Sequence, residues 1–165
     1  MLTSEVTLKP ITVRSYMAKD LITFTPEMDV FEAVQRLAQH RISGAPVIDN
    51  HGNLVGLLSE RDCVKVVLNA SYYGDWAGKV SEYMSHDVKT IDVDTSIVEV
   101  AEMFLHSSYR RYPVLEENQL VGQISRRDVL RVLQEVGYKA QKPKKPSFLQ
   151  RKFNKKQISP EPMGI

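Results

Sequence analysis

The chain has 165 residues, of which 42% are hydrophobic and 25% charged, and its formal net charge at pH 7 is +2. This length fits one compact domain or two small fused ones. No run of 18 or more apolar residues is present, and the single Cys63 has no partner for an internal disulfide. The first residues lack the apolar stretch of a secretory signal, so none is expected and a cytoplasmic protein is predicted.

The sequence contains an internal repeat. Residues 13–17 (VRSYM) correspond to residues 80–84 (VSEYM) at an offset of 67, and the offset falls to 66 where Gly56 meets Gly122. The residue missing from the second copy falls in a turn, where a change of length is tolerated. The repeat therefore predicts two units of the same fold that pack against each other.

Each unit is predicted to have the order β-α-β-β-α. Extended segments at 21–24 and 88–93 precede helices that have one apolar face, and Asp29 and Ser96 are predicted to N-cap these helices. Two short strands follow, joined by a polar turn. A second helix closes each unit. In the first unit its apolar residues are Cys63, Val64, Val66, Val67 and Leu68, and in the second Gly137 is expected to end it.

These elements divide the chain into a first domain at 11–69, a linker at 70–79, a second domain at 80–137 and a tail at 138–165. The aromatic residues of the linker, Tyr72, Tyr73 and Trp76, are expected to cover one end of the core or a subunit interface. From Lys139 onward the tail has eight basic residues and one acidic residue. Its charge and prolines predict disorder.

Each unit also carries the motif Gly-x-x-Ser-x-x-Asp, which places Ser59 with Asp62 and Ser125 with Asp128 at a strand-to-helix turn. A carboxylate can accept both hydroxyl hydrogens of a ribose, and a helix N-terminus with a Ser hydroxyl can bind phosphate oxygens. Ser and Asp at this spacing are also typical of ordinary helix capping. The two roles are compatible, because the Asp could cap the helix in the unliganded protein and bind when a ligand is present.

With these elements and motifs the chain resembles a tandem pair of CBS domains, a Bateman module, over about residues 11–137. Besides Gly-x-x-Ser-x-x-Asp, the resemblance depends on Val-x-x-x-Met followed by a strand Thr, on 43–47 (SGAPV) with 110–114 (RRYPV), and on Leu-Val-Gly in the third strand. It implies an α+β fold in which two β-α-β-β-α repeats pack sheet to sheet with pseudo-twofold symmetry. Two clefts form between the repeats.

The resemblance also implies an adenosine-containing ligand, with AMP, ADP, ATP and S-adenosylmethionine as candidates, and no permanent cofactor. The Asp of each motif is expected at the ribose, and the backbone at Ala45–Pro46 and Tyr112–Pro113 at the adenine edge. The residues that match the family's ligand contacts are Thr23, Ala45, Pro46, Ser59, Asp62, Thr90, Arg111, Tyr112, Pro113, Ser125 and Asp128.

The two units differ in charge ahead of the motif, where the second has Arg110 and Arg111 and the first has Ser43 and Gly44. We therefore expect a phosphorylated ligand to bind through Arg111, with Arg110 as a further candidate, while the other cleft takes a less charged ligand or none. The alternative is that an arginine fills the cleft or pairs with a nearby glutamate, Glu116 or Glu117.

The expected function is a stand-alone regulatory module, a homodimer that binds an adenosyl ligand and acts on an unknown effector protein. No enzymatic activity is expected, because the sequence has no nucleophile–base pair and no metal-ligand spacing. The alternative is an adaptor whose basic tail binds nucleic acid, a membrane surface or an acidic protein, with the paired domains as a dimerisation scaffold.

Overall fold

The structure of the chain, a computed structural model, describes residues 11–74 and 76–141. The first repeat consists of a 3-10 turn (Val13–Ser15), helix α1 (Val30–His40), strands β1 (Gly44–Ile48) and β2 (Leu54–Ser59), and helix α2 (Glu60–Tyr73). The second consists of helix α3 (Val80–Tyr83), strand β3 (Ile91–Asp92), helix α4 (Ile97–Leu105), strands β4 (Arg111–Glu116) and β5 (Gln119–Ser125), and helix α5 (Arg126–Gln141). The predicted α+β fold of two repeats is confirmed.

The strands of the two repeats pair in the same way. β1 and β2 are antiparallel, as are β4 and β5. Each antiparallel pair also has a parallel neighbour. In the second repeat β3 pairs with β4, and in the first repeat a single parallel bridge joins Phe24 to Val47 of β1. The first extended segment predicted for each repeat is therefore present, although it is short.

Each pair of antiparallel strands has one face toward a hydrophobic core and one face away from it. In the first repeat Ala45, Val47 and Leu58 are at most 1% exposed and pack against the helices. Because side chains alternate along a strand, their neighbours lie on the opposite face. On that face Gly44 lies opposite Ser59 and Pro46 opposite Leu57. The corresponding pairs in the second repeat are Arg111 with Ser125 and Pro113 with Gln123.

The two repeats exchange their first segments. Val13 is fully buried, but it lies in the core of the second repeat together with Ile97. Val80, also fully buried, lies in the core of the first repeat. Backbone bonds fix the exchange in both directions: the Ile97 N–H donates to the Ile11 carbonyl at 2.9 Å, and the Val30 N–H donates to the Gly78 carbonyl at 2.9 Å. Each core is therefore completed by the other repeat.

The glycine of each Leu-Val-Gly motif makes this exchange possible. A Cβ on Gly56 would lie 2.5 Å from the sulfur of Met84, and a Cβ on Gly122 would lie 2.7 Å from the sulfur of Met17. Both methionines belong to the exchanged segment of the other repeat. The Met of the Val-x-x-x-Met motif in one repeat thus contacts the Gly of the Leu-Val-Gly motif in the other repeat.

The contacts between the repeats come in equivalent pairs. Ala18 forms a bridge with Gln123, and Ser85 forms the equivalent bridge with Leu57. At the hairpin tips the Gln119 Nε2 donates to Asn53 Oδ1 at 3.0 Å, and these two residues are themselves equivalent in the repeat. A pseudo-twofold axis therefore passes between the two hairpins, as predicted.

The predicted N-caps of α1 and α4 are confirmed. Asp29 Oδ1 accepts hydrogen bonds from the backbone N–H groups of Phe31 and Glu32 at 2.9 and 3.2 Å. Ser96 Oγ accepts from the Glu99 N–H at 3.2 Å. These bonds satisfy donors that the first turn of a helix leaves without partners.

The predicted ends of α2 and α5 are wrong. Gly137 does not end α5, which continues through Gln141, because nothing crowds this glycine and the helix passes over it. Residues 138–141 are therefore helical rather than part of the tail, and the rest of the predicted tail, 142–165, lies outside the described residues. α2 extends through Tyr73 into the predicted linker and ends at Gly74, whose φ of 66° suits glycine.

The aromatic residues predicted in the linker, two of which belong to the last turn of α2, do not cover the core. Tyr72 and Tyr73 are 78% and 81% exposed, and Trp76 packs edge-on against the ring of Phe31 on the outer surface. The apolar face predicted for α2 is likewise only partly buried. Cys63 and Val66 enter the core, whereas Val64, Val67 and Leu68 are 51–58% exposed.

We expect the exchanged segments to stabilise both repeats together. Val80→Ala removes two methyl groups from the core of the first repeat and should lower the free energy of unfolding by about 2 kcal/mol. Val64→Ala, the same change at a residue 58% exposed on α2, is the matched control and should leave stability nearly unchanged. Urea denaturation measures both. Equal effects of the two substitutions would contradict the exchange.

Candidate functional site

The Ser59–Asp62 motif caps α2. The Oδ2 atom of Asp62 accepts from the Ser59 backbone N–H at 2.9 Å and from the Ser59 hydroxyl at 2.7 Å. The Ser59 Oγ in turn accepts from the Asp62 N–H at 3.2 Å. Capping thus engages Oδ2, while Oδ1 lies 3.4 Å from the Nζ of Lys65, whose side chain is largely exposed. Oδ1 can still accept hydrogen bonds from a ligand.

The motif of the second repeat has the same capping geometry. Asp128 Oδ2 accepts from the N–H and hydroxyl of Ser125 at 2.8 and 2.7 Å. Its Oδ1 lies 3.4 Å from Arg131, which also donates to the Tyr16 carbonyl at 2.9 Å. The Asp128 side chain is 17% exposed, compared with 8% for Asp62.

Tyr16, from the exchanged segment, packs on α5 beside this second motif. Its hydroxyl donates to Glu135 at 2.8 Å, and the guanidinium of Arg131 lies 5.8 Å from the centre of its ring. The hydrogen bond to the Glu135 carboxylate raises the pKa of the Tyr16 hydroxyl, with burial as a smaller cause. The equivalent Tyr83 accepts from the neutral Asn69 amide, so the two sites differ in charge behind the motif.

A cavity of about 540 Å³ opens at the Ser59–Asp62 motif, between the two repeats. The first repeat contributes the motif and Leu57 to its wall, and the second contributes Arg110 and Arg111. This volume lies in the range of typical small-molecule sites. The cavity combines a carboxylate at a helix N-terminus on one side with two guanidinium groups on the other.

The structure shows which motif the arginines lie beside. Arg110 and Arg111 line the same cavity as Ser59 and Asp62 of the first repeat. The reason is the pseudo-twofold packing, which brings the start of β4 next to the end of β2. Of the two glutamates considered as alternative partners of the arginines, Glu116 pairs instead with Arg14 at 2.7 Å.

Arg111 has a donor that the described part of the chain leaves without an acceptor. Its Nε atom is buried, and no hydrogen-bond partner lies within reach among the described residues. Burying a donor without an acceptor is costly, and the cost is larger for a charged group. An anionic group bound in the cavity would supply the acceptor.

Other predicted ligand residues lie away from this cavity. Ala45 and Tyr112 are 1% exposed in the two cores, and the Tyr112 hydroxyl is 2.6 Å from Ser107 Oγ. The Pro46 carbonyl accepts from the Phe24 N–H at 2.9 Å, and Pro113 is buried opposite Gln123.

The two predicted threonines also lie outside it. Thr23 is half-buried beside Phe24 and is not part of the cavity wall. Thr90 lines a separate cavity of about 280 Å³, next to Val88. Of the predicted contacts, Ser59, Asp62 and Arg111 are the ones that this cavity brings together.

Sequence reasoning missed two residues near the sites. Asp87 lines the cavity from the second repeat, where no motif marks it. Gln123 is 8% exposed in β5, and its Nε2 has no acceptor among the described residues. A signal for Gln123 was present in the repeat, because its counterpart is the apolar Leu57.

The remaining titratable groups do not form a second centre in the part that the structure describes. Cys63 is buried, and burial raises the pKa of its thiol to about 11, so the thiol is protonated at neutral pH. Within residues 11–74 and 76–141 no cluster of His, Cys, Asp and Glu could hold a metal ion. No described helix has the length and hydropathy needed to cross a membrane.

Comparison with solved structures identifies the fold. CBSX2 of Arabidopsis thaliana, solved in complex with AMP, superposes with a TM-score of 0.68 at 24% identity, covering 77% of this chain and 98% of that one. The CBS domain pair of protein MJ0100, solved with 5'-methylthioadenosine and S-adenosyl-L-methionine, superposes with a TM-score of 0.63 at 25% identity, covering 75% and 96%.

Curated relatives include an uncharacterized 17.7 kDa protein of Acidianus ambivalens, 32% identical over 67% of this chain and 66% of its own length. Inosine-5'-monophosphate dehydrogenase of Methanocaldococcus jannaschii is 36% identical over 68% of this chain but only 22% of its own length. The chain thus spans at most about two thirds of these relatives.

The family model of the CBS domain matches this chain twice, at residues 13–69 and 80–135. Both matches include a Gly-x-x-Ser-x-x-Asp motif and the exchanged segment that precedes it. The chain belongs to the CBS domain family and contains two CBS domains.

Proposed function

We propose that the cavity between the repeats binds an adenine nucleotide or another adenosyl ligand, and that the chain is a regulatory module that responds to it. The observation that carries the proposal is the composition of the cavity. The cavity of about 540 Å³ is lined by Ser59 and Asp62 of the first repeat and by Arg110 and Arg111 of the second. The proposed role is binding rather than catalysis.

Asp62 is the proposed ribose contact. Its Oδ2 is occupied by the cap, but Oδ1 is free of the capping bonds and lies at the start of α2. Hydrogen bonds to a carboxylate are stronger than those between neutral groups, and a ribose offers two hydroxyl donors. The cap fixes the carboxylate in place before the ligand arrives, which lowers the ordering cost of binding.

Arg111 is the proposed phosphate contact. Its buried Nε needs an acceptor, and a guanidinium matches the geometry of phosphate oxygens. Arg110 lines the same wall. Since the arginines and Asp62 belong to different repeats, a bound nucleotide would connect the two and restrain their relative position.

The relatives support an adenosyl ligand. The CBS pair of MJ0100, at 25% identity, was solved with two ligands that share an adenosyl group and differ in what is attached to it. A site built around a ribose contact suits such a set. The arginines of this chain favour a phosphorylated member.

We expect AMP, ADP, ATP or S-adenosylmethionine to stabilise the protein against heat. At a ligand concentration of about 100 Kd the stabilisation is roughly 2.7 kcal/mol, which corresponds to a melting shift of several degrees. Asp62→Ala should abolish the shift caused by binding in this cavity. Differential scanning fluorimetry measures it.

Asp29→Ala is the matched control, because Asp29 caps α1 but is not part of the cavity wall. It should lower the melting temperature of the unliganded protein and keep the ligand shift. If none of the four ligands produces a shift at millimolar concentration, the proposed function is wrong.

We expect Arg111→Ala to weaken the binding of AMP but not the binding of adenosine. Loss of a charged hydrogen bond should weaken AMP about 10- to 100-fold, while adenosine, which has no phosphate, binds as before. Arg127→Ala, at an exposed residue outside the cavity wall, is the control. Titration calorimetry with both ligands decides. Equal loss of affinity for AMP and adenosine would contradict the phosphate contact.

We also propose that two copies associate through the outer helices. Large apolar side chains remain exposed on both repeats: Val64, Val67 and Leu68 on α2, and Leu105, Leu130 and Leu133 on α4 and α5, each more than half exposed. A helix face of this composition is typical of an interface. A groove of about 550 Å³ also lies between α4 and α5.

Leu133→Lys should therefore weaken the association, because it places a charge in the apolar face of α5. Sedimentation velocity at several protein concentrations should show a larger monomer fraction than for the wild type. Gln134→Lys adds the same charge at the next exposed position and is the control. A wild-type protein that stays monomeric at all concentrations would refute the dimer.

A further inference from the structure

The second repeat has a buried amide whose hydrogen-bonding needs the described residues do not meet. Gln123 lies in β5 and is 8% exposed, and its Nε2 has no acceptor among the described residues. Its backbone is fully used, since its N–H and carbonyl bond to Ala18 at 3.0 and 2.8 Å. A buried amide donor without an acceptor is destabilising, so its position calls for an explanation.

The pseudo-twofold symmetry shows where Gln123 lies. It is the counterpart of Leu57, which lines the cavity of the first repeat. The backbone contacts are equivalent, because Leu57 bonds to Ser85 as Gln123 bonds to Ala18. The pseudo-twofold symmetry therefore gives Gln123, beside the second motif, the position that Leu57 has beside the first.

The strand register places Gln123 on the same face as Ser125. Ile124, between them, is fully buried in the core, so its two neighbours point to the opposite face. Two residues along a strand span about 7 Å. If Ser125 and Asp128 bind the ribose and phosphate, Gln123 lies at the distance of the base.

We propose that Gln123 recognises the base of a purine nucleotide in the cleft of the second repeat, with its amide bonded to the polar edge of the base. An amide carries one acceptor and two donors, and it matches the N6 and N7 atoms of adenine. The first cleft has Leu57 at this position and holds the base by apolar contact alone. The second cleft is thus the more selective one. This inference rests on the proposed function, because it extends the ribose contact proposed for Asp62 to the equivalent Asp128.

The test is titration calorimetry of the full chain with AMP. We expect two binding events, assigned by their loss in Asp62→Asn and in Asp128→Asn. Gln123→Leu, which copies the residue of the first repeat, should weaken the event of the second cleft by about tenfold or more and leave the first unchanged. Gln134→Leu, the same change at an exposed position of α5, should alter neither event.

A second ligand, ribose 5-phosphate, tests whether Gln123 contacts the base or another part of the nucleotide. Ribose 5-phosphate has no base, so Gln123→Leu should not weaken its binding to the second cleft. The melting temperature of unliganded Gln123→Leu should equal or exceed that of the wild type, because an unpaired buried donor has been removed. This shows that the variant folds.

Three results would overturn the inference. Unchanged AMP affinity at both sites in Gln123→Leu would mean that the amide serves the fold. Equal weakening of AMP and ribose 5-phosphate would place its contact away from the base. If the wild type shows only the binding event that Asp62→Asn abolishes, there is no second site, and the proposed function still holds. If the wild type shows neither event, the proposed function itself is wrong.

Discussion

The reciprocal exchange of the first segments is the contact on which the rest of the structure depends. Val13 completes the core of the second repeat and Val80 that of the first, so neither core is built from one repeat alone. A unit of this size buries little surface and is only marginally stable by itself. The exchange joins the two units into one and fixes how they face each other.

The cavity at the first motif follows from this packing. Ser85 bonds to Leu57 in β2, and Ala18 bonds to Gln123 in β5. The residue that follows each exchanged segment therefore lies along a strand of the other repeat. The end of β2 then meets the start of β4, and Asp62 shares a cavity with Arg111. A ligand bound in a cavity lined by both repeats would favour one arrangement of the two, which is what the proposed regulatory role requires.

The local features of the sequence predicted the fold well. Spacing of apolar residues predicted the helices, and Asp29 and Ser96 capped them as expected, because N-capping depends on a few neighbouring residues. Helix ends were harder: Gly137 lies inside α5 because a glycine at an open surface position only weakens a helix. The apolar residues of α2 were predicted as one helix face, but much of that face is exposed, because an apolar row does not show whether another element covers it.

The sequence by itself determined the two repeats, the capping pair of Ser and Asp at each strand-to-helix turn, and the family. These depend on residues close together in the chain. Only the tertiary structure decided that Arg110 and Arg111 line one cavity with Asp62, and that the Gln123 amide is buried with its Nε2 lacking an acceptor among the described residues. Both depend on how one repeat packs on the other, and residues far apart in the chain meet only when that packing is known.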